Sequence, residues 1–152
     1  MLIAIGYVVT AFLAIPYASQ AGYFNFGDVI TILSSVILGP WYGAFIGATF
    51  SAMADLSGGF AQFVPFTIVA KGLMAILVGY LHKIFPKKLK ILAFFISSLA
   101  MVAVYFVAYW LYYGLGSCFL SLFDLIQGLI SSILGYLLFV LIDKIPKKTH
   151  AE

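Results

Sequence analysis

Charge is what this sequence of 152 residues has least of: 9% of the residues are charged, 64% are hydrophobic, and none is arginine. A soluble domain of this size could not cover so many apolar side chains without exposing large apolar patches. Because arginine is absent and the lysines gather at the ends of apolar segments, we expect no nucleic-acid partner. The composition predicts a single transmembrane domain, residues 1–152, with membrane lipid as its surroundings.

Motifs for catalysis and metal binding are missing as well. The single cysteine, Cys118, excludes an intramolecular disulfide and has no Cys or His neighbour for a metal site. The sequence contains no G-x-x-x-x-G-K-[ST] phosphate loop, no H-E-x-x-H and no G-x-S-x-G motif. We therefore expect no enzyme activity, no metal and no cofactor, so any ATP-driven step must come from another subunit.

Apolar runs are what the chain has in abundance, and glycine and proline residues divide them into six segments. These are Leu2–Ile15, Phe26–Leu38, Trp41–Leu56, Phe63–Ile84, Leu89–Tyr113 and Cys118–Ile142. The second has roughly thirteen residues, fewer than the ~20 that usually span a bilayer. The pattern predicts an all-α, polytopic membrane protein: a bundle of six transmembrane helices.

The distribution of lysine predicts the orientation of the segments. Four lysines lie within residues 83–90, between the fourth and fifth segments, and three lie within residues 144–148, after the sixth. Lysine is enriched on the cytoplasmic side of membrane proteins. Because the number of crossings is even, we expect both the N- and the C-terminus to be cytoplasmic in the cell membrane.

Ionisable residues inside the apolar segments fall in the predicted outer half. Asp28 opens the second segment and Asp55 closes the third, while Lys71 lies roughly nine residues, or ~13 Å, into the fourth. A charge at this depth needs a partner, and Asp55 on the neighbouring segment is a plausible one. A structural Asp55/Lys71 pair and a ligand-binding Lys71 are both open, and Asp28 could simply cap its helix.

The last two segments offer groups that suit a polar ring. Asp124 and Gln127 place a carboxylate and an amide one turn apart at the outer end of segment six. In segment five, Tyr105, Tyr109 and Tyr112 share a face on which a flat heteroaromatic ligand would stack, although a membrane belt accounts for most aromatic residues there. Segment six carries its polar groups as one stripe: Ser117, Ser121, Asp124, Gln127, Gly128, Ser131 and Gly135.

Small residues recur at helical spacing in the first and third segments. Rows of this kind let helices approach closely, so they face either a helix of the same chain or a second subunit. The rows are Ala14 and Ala18, then Ala44, Ala48 and Ala52, then Gly43, Gly47 and Ser51.

In their order and spacing, five groups of residues resemble the substrate-binding S components of energy-coupling factor (ECF) transporters, which import vitamins. The groups are Gly22-Tyr23-Phe24-Asn25-Phe26-Gly27-Asp28, Leu38-Gly39-Pro40-Trp41-Tyr42-Gly43-Ala44, Ala54-Asp55-Leu56, Thr67 with Lys71-Gly72, and Asp124 with Gln127. The resemblance implies a six-helix bundle that binds one vitamin near the outer face, beneath the first, third and fifth loops.

The resemblance also implies partners and site residues. An alanine-rich face would dock on a transmembrane coupling subunit (EcfT-like) that carries two ATP-binding subunits (EcfA-like), and the loaded subunit would topple to release the vitamin inside. The implied docking residues are Ala14, Ala18, Ala44, Ala48 and Ala52. The implied substrate-binding residues are Tyr23, Asn25, Asp55, Lys71, Tyr109, Asp124 and Gln127.

The balance of three carboxylates against one lysine near this site disfavours a strongly anionic ligand. It favours hydroxymethylpyrimidine or pyridoxine, while riboflavin and pantothenate stay open, since Lys71 could bind the pantothenate carboxylate. Two interpretations lie outside the family. One is a small ion-coupled secondary carrier that uses Asp55, Lys71 and Asp124 as a relay, and the other is a purely structural assembly subunit.

Overall fold

In the computed structural model, which describes residues 1–17 and 22–144, six α-helices form a bundle. They are α1 (Leu2–Phe12), α2 (Gly27–Leu38), α3 (Pro40–Gly58), α4 (Val64–Ile84), α5 (Lys90–Tyr113) and α6 (Ser121–Asp143). Short 3-10 turns precede the last three helices, at Ala61–Phe63, Lys87–Leu89 and Leu115–Leu120. The predicted helical bundle is confirmed, and its second helix is short, with 12 residues.

The surface of the bundle is apolar. Large hydrophobic side chains such as Trp41, Leu99 and Leu141 are more than half exposed. Soluble proteins rarely expose so much contiguous apolar surface, so lipid is the medium of this bundle. Within the described residues, three helical stretches are long and apolar enough to cross a membrane: Ala61–Ile84, Lys87–Tyr113 and Leu115–Asp143.

The connection between α1 and α2 contains a β-hairpin that the sequence analysis did not predict. Strand β1 (Ile15–Tyr17) pairs antiparallel with β2 (Gly22–Phe24). Helix α1 ends at Phe12, so the predicted extension of the first helix to Ile15 is wrong. Pro16 explains the difference, because a residue that precedes proline is displaced from helical conformation.

Helix α2 lies at the centre of the bundle, where it packs against α1, α3, α4 and α6. Its polar side chains face inward, and Asp28, Thr31 and Ser35 have no exposed surface. The Ser35 hydroxyl donates to the backbone carbonyl of Ala75 on α4 at 2.5 Å. The interior is therefore polar along α2, and this short central helix positions the polar groups of the bundle.

Three glycines let neighbouring helices approach α2 closely. A Cβ atom on Gly43 of α3 would overlap the backbone of Ser35, and a Cβ on Gly79 of α4 would meet both Ser35 and Pro40. Gly47, one turn after Gly43, packs in the same way against Thr31. The Gly43/Gly47 part of the small-residue pattern thus serves packing within the chain.

Candidate functional site

A pocket lies beside β2 and the start of α2, and side chains from five elements line it. It encloses about 430 Å³ of empty space, including its open mouth. Aromatic and hydroxyl groups of Phe60, Phe63, Thr67 and Tyr105 contribute to its wall. All seven residues predicted to bind substrate line it: Tyr23, Asn25, Asp55, Lys71, Tyr109, Asp124 and Gln127.

A chain of hydrogen bonds through Asp28 holds one side of the pocket. The Lys71 ammonium donates to Asp28 Oδ1 at 2.5 Å, and both side chains of this ion pair are almost completely buried. Gln127 Nε2 donates to Asp28 Oδ2 at 2.6 Å. The backbone N–H of Asn25 donates to Gln127 Oε1 at 3.0 Å. Asp28 thereby ties α2 to α4 and α6, and Gln127 ties them to the end of the hairpin.

Lys71 is paired with Asp28, so the structural Asp55/Lys71 pair, one of the two possibilities that the sequence left open, does not form. The central position of α2 brings Asp28 to the ammonium, whereas the Asp55 carboxylate bonds to other groups. Asp28 does not cap its helix with a side-chain hydrogen bond either. Instead, Asn25 Oδ1 accepts the backbone N–H of Gly27 at 2.9 Å, which forms an Asx turn ahead of α2.

The remaining surroundings of the Lys71 ammonium are also occupied. It contacts Met101 Sδ at 3.2 Å and lies 5.5 Å from the centroid of the Tyr105 ring. Only 2% of Lys71 is exposed. The Lys71 charge is therefore neutralised by Asp28 inside the bundle.

A second group of hydrogen bonds centres on Asp55. Its Oδ1 accepts the Tyr23 hydroxyl at 2.6 Å, and its Oδ2 accepts the Thr67 hydroxyl at 2.5 Å. The Thr67 and Tyr105 hydroxyl oxygens are 3.1 Å apart. Thr67 was not among the predicted substrate-binding residues, although it lies four positions before Lys71 and therefore on the same face of α4.

Aromatic rings form another part of the wall. Tyr105 and Tyr109 stack with centroids 6.5 Å apart, and Phe63 meets Tyr109 edge to face at 5.6 Å. Tyr112 does not line the pocket; its hydroxyl donates to the backbone carbonyl of Gln62. Of the three tyrosines predicted to share a ligand-stacking face, Tyr105 and Tyr109 therefore line the pocket and Tyr112 does not. Phe60 and Phe63 also line the pocket. The sequence analysis missed them because they lie at the turn before α4, where no helical spacing relates them to the other pocket residues.

Asp124 is 4% exposed and adds a second carboxylate to the pocket, one turn before Gln127. The pocket therefore presents Asp55 and Asp124 beside the internally paired Lys71, which is the only cationic side chain among its described lining residues. Carboxylates accept hydrogen bonds and attract weakly basic groups, so the arrangement suits a flat ligand that is rich in donors. Across residues 1–17 and 22–144, no cluster of His, Cys, Asp and Glu is arranged to hold a metal.

The alanines predicted to dock a partner lie in two places. Ala44, Ala48 and Ala52 follow one another along α3, and each keeps part of its surface exposed. Ala14 is partly exposed between α1 and β1, while Ala18 lies outside the described residues. Each described member therefore leaves part of a small side chain accessible.

Comparisons with known proteins agree with this architecture. Residues 1–147 match the family described as ECF-type riboflavin transporter, S component. A Pyrococcus woesei protein described as an uncharacterized protein in gap 3'region is 33% identical over 130 residues, which are 84% of this chain and 87% of that protein. The thiamine precursor transporter HmpT of Lactococcus lactis subsp. cremoris is 28% identical over 125 residues, covering 78% and 72% of the two chains.

The fold also matches a solved structure, that of the S component of a bacterial ECF transporter. The two share a TM-score of 0.76 over 94% of this chain and 91% of the other, at 22% sequence identity. At this level of identity the likeness is one of fold.

Proposed function

Since this chain belongs to the family of S components of ECF transporters, which serve vitamin uptake at the cell membrane, we propose that its pocket captures hydroxymethylpyrimidine or pyridoxine at the outer face. One observation carries the choice of ligand: two carboxylates and a stacked tyrosine pair surround a pocket whose lysine is already paired with Asp28. Such a pocket favours a small, flat, neutral or weakly basic ring over an anion.

The chemistry of an aminopyrimidine fits these groups. Its exocyclic amino group and its hydroxymethyl group donate hydrogen bonds, for which Asp55 and Asp124 supply acceptors. Tyr105 and Tyr109 supply flat apolar surface against which the ring can pack. The likeness to HmpT, a thiamine precursor transporter in Lactococcus lactis, supports the same class of ligand.

Riboflavin is the second candidate, because the matching family is described as a riboflavin transporter component. Pantothenate is less well supported. Its carboxylate would need Lys71, whose charge Asp28 neutralises, and would lie near the carboxylates of Asp55 and Asp124. Like charges at this distance disfavour binding.

Partners of the kind used by ECF S components follow from the family. For this chain we expect an EcfT-like transmembrane coupling subunit and two EcfA-like ATP-binding subunits, which supply the ATP hydrolysis. The coupling subunit is expected to dock on the small residues Ala44, Ala48 and Ala52 and on Ala14, whereas Ala18 lies outside the described residues. The lysine-rich stretches at residues 83–90 and 144–148 support a cytoplasmic position of both termini.

Native mass spectrometry of the purified chain tests the ligand. Protein from cells grown in rich medium is expected to retain one small molecule with the mass of hydroxymethylpyrimidine or pyridoxine, and titration with either compound is expected to saturate at one per chain. Retention of riboflavin instead would support the second candidate. Proton-driven uptake by this chain alone in liposomes would contradict the proposal and support an ion-coupled carrier.

A further inference from the structure

Asp28 lies outside the wall of the pocket but contacts two side chains that belong to it. It has no exposed surface and is not one of the residues that line the pocket. Its Oδ1 accepts a hydrogen bond from the Lys71 ammonium, and its Oδ2 accepts one from the Gln127 amide. Both donors line the pocket. Asp28 can therefore act on a bound ligand only through these two neighbours.

The Lys71 ammonium is the group that an anionic ligand would need, since no other described lining residue is cationic. An ammonium has three N–H donors. Asp28 Oδ1 lies 2.5 Å from the nitrogen, and Met101 Sδ, a weak acceptor, lies 3.2 Å from it. Within residues 1–17 and 22–144, Asp28 is the only carboxylate in ion-pair contact with Lys71. An anion in the pocket would have to compete with Asp28 for this ammonium.

Asp55, the nearby carboxylate on α3, is not placed to take over the role of Asp28. Its Oδ1 accepts the Tyr23 hydroxyl and its Oδ2 accepts the Thr67 hydroxyl. Loss of the Asp28 charge would therefore leave the ammonium in the pocket wall without its contacting carboxylate. Asparagine at position 28 would remove that charge, and it would keep the shape of the side chain and one oxygen that accepts hydrogen bonds.

We propose that Asp28 determines the charge selectivity of the pocket: it occupies the Lys71 ammonium, excludes anionic ligands and leaves the site to neutral or weakly basic rings. This inference rests on the proposed function, from which it takes the class of ligand. Selectivity is a difference between two affinities, and an unfavourable charge against the wrong ligand can produce it. A residue that touches no ligand thus decides which ligand charge the pocket accepts.

Matched pairs of ligands test the proposal. Hydroxymethylpyrimidine and pyridoxine are each compared with the acid in which a carboxylate replaces one hydroxymethyl group. Isothermal titration of the wild-type chain is expected to show at least about tenfold weaker binding of the acid. Asp28→Asn is expected to bind the acid about 10- to 100-fold more tightly than the wild type does, which is the range for one hydrogen bond to a charged group. The ratio of the two dissociation constants reports ligand charge, which a change in stability alone would not alter.

Asp28→Asn/Lys71→Met is the matched control, because it lacks the same carboxylate but offers the acid no ammonium. Its gain in affinity for the acid is expected to disappear. An equal gain in both variants, or no gain in folded Asp28→Asn, would overturn the assignment of Asp28.

The wild-type comparison requires no variant to fold. Equal affinity of the wild-type chain for a candidate ligand and its acid would overturn the charge selectivity and leave vitamin capture standing. A wild-type chain that bound none of the four compounds would contradict the proposed ligands and the selectivity together.

Discussion

Asp28 accepts hydrogen bonds from two side chains that stand 43 and 99 positions away in the sequence. Lys71 and Gln127 therefore depend on it for their positions, and through Gln127 so does the backbone at Asn25. A buried ion pair of this kind contributes less to stability than is lost when one partner is removed, because the remaining charge has no counter-charge.

Lys71→Met is expected to lower the free energy of unfolding by about 3–5 kcal/mol, since it leaves the Asp28 carboxylate buried without its cation. The double variant Asp28→Asn/Lys71→Met is expected to lose less than the sum of the two single variants. Thermal unfolding of the three proteins in detergent, followed by circular dichroism, measures the difference. Additive losses would show that the two side chains do not stabilise one another.

Asp124→Asn is expected to weaken ligand binding about 10- to 100-fold, because a hydrogen bond to a charged group is worth about 1.5–3 kcal/mol. Isothermal titration of the purified chain with hydroxymethylpyrimidine measures the change. Asp143→Asn is the matched control, since Asp143 ends the same helix but lies away from the pocket. Equal affinities of the Asp124 variant and the wild type would exclude Asp124 as a ligand contact.

At the scale of elements, the sequence predicted where the helices lie better than it predicted the connections between them and the contacts that they make. Apolar runs that end at glycine or proline indicated all six helices, including the short α2. The hairpin escaped prediction because each strand has three residues, too few for an alternating pattern to appear. Asp55 was considered as a partner of Lys71 because the two lie on consecutive helices. The pairing of Lys71 with Asp28 could not be predicted, because the central position of α2 comes from packing that no local pattern reports.

Gly43→Ala tests the close contact between α2 and α3. A methyl group at position 43 would overlap the backbone of Ser35, so we expect a loss of stability of at least about 1–3 kcal/mol. Gly72→Ala is the matched control, because a Cβ there meets no neighbouring atom and helix propensity favours alanine by up to about 1 kcal/mol. Thermal unfolding in detergent should move in opposite directions for the two variants. Equal shifts would contradict the packing described for Gly43.

At the scale of the whole molecule, a substitution on the docking surface should reduce vitamin uptake by the assembled transporter without changing vitamin binding by the chain. Ala48→Trp is expected to reduce uptake by the assembled transporter about tenfold or more, because a large ring on a small-residue face prevents close approach of a partner helix. Ligand binding by the purified chain should be unchanged. Uptake is measured in liposomes that contain the coupling and ATP-binding subunits.

Leu99→Trp on α5 is the control for this experiment, since Leu99 is 52% exposed and lies away from the alanine row. Its uptake should equal that of the wild type. If Ala48→Trp transported normally, or if both variants lost uptake equally, the α3 row would not be the docking surface.

The helices of the bundle differ about twofold in length. Neighbouring helices α1 and α2 have 11 and 12 residues, whereas α5 and α6 have 24 and 23. At a rise of 1.5 Å per residue, these correspond to roughly 17 and 18 Å against about 35 Å, while the hydrocarbon core is about 30 Å thick. A flat bilayer cannot match both α1 and the long helices, so the surrounding lipid must thin beside α1 or the molecule must lean. The short first helix therefore makes an upright posture of the bundle in the membrane unfavourable.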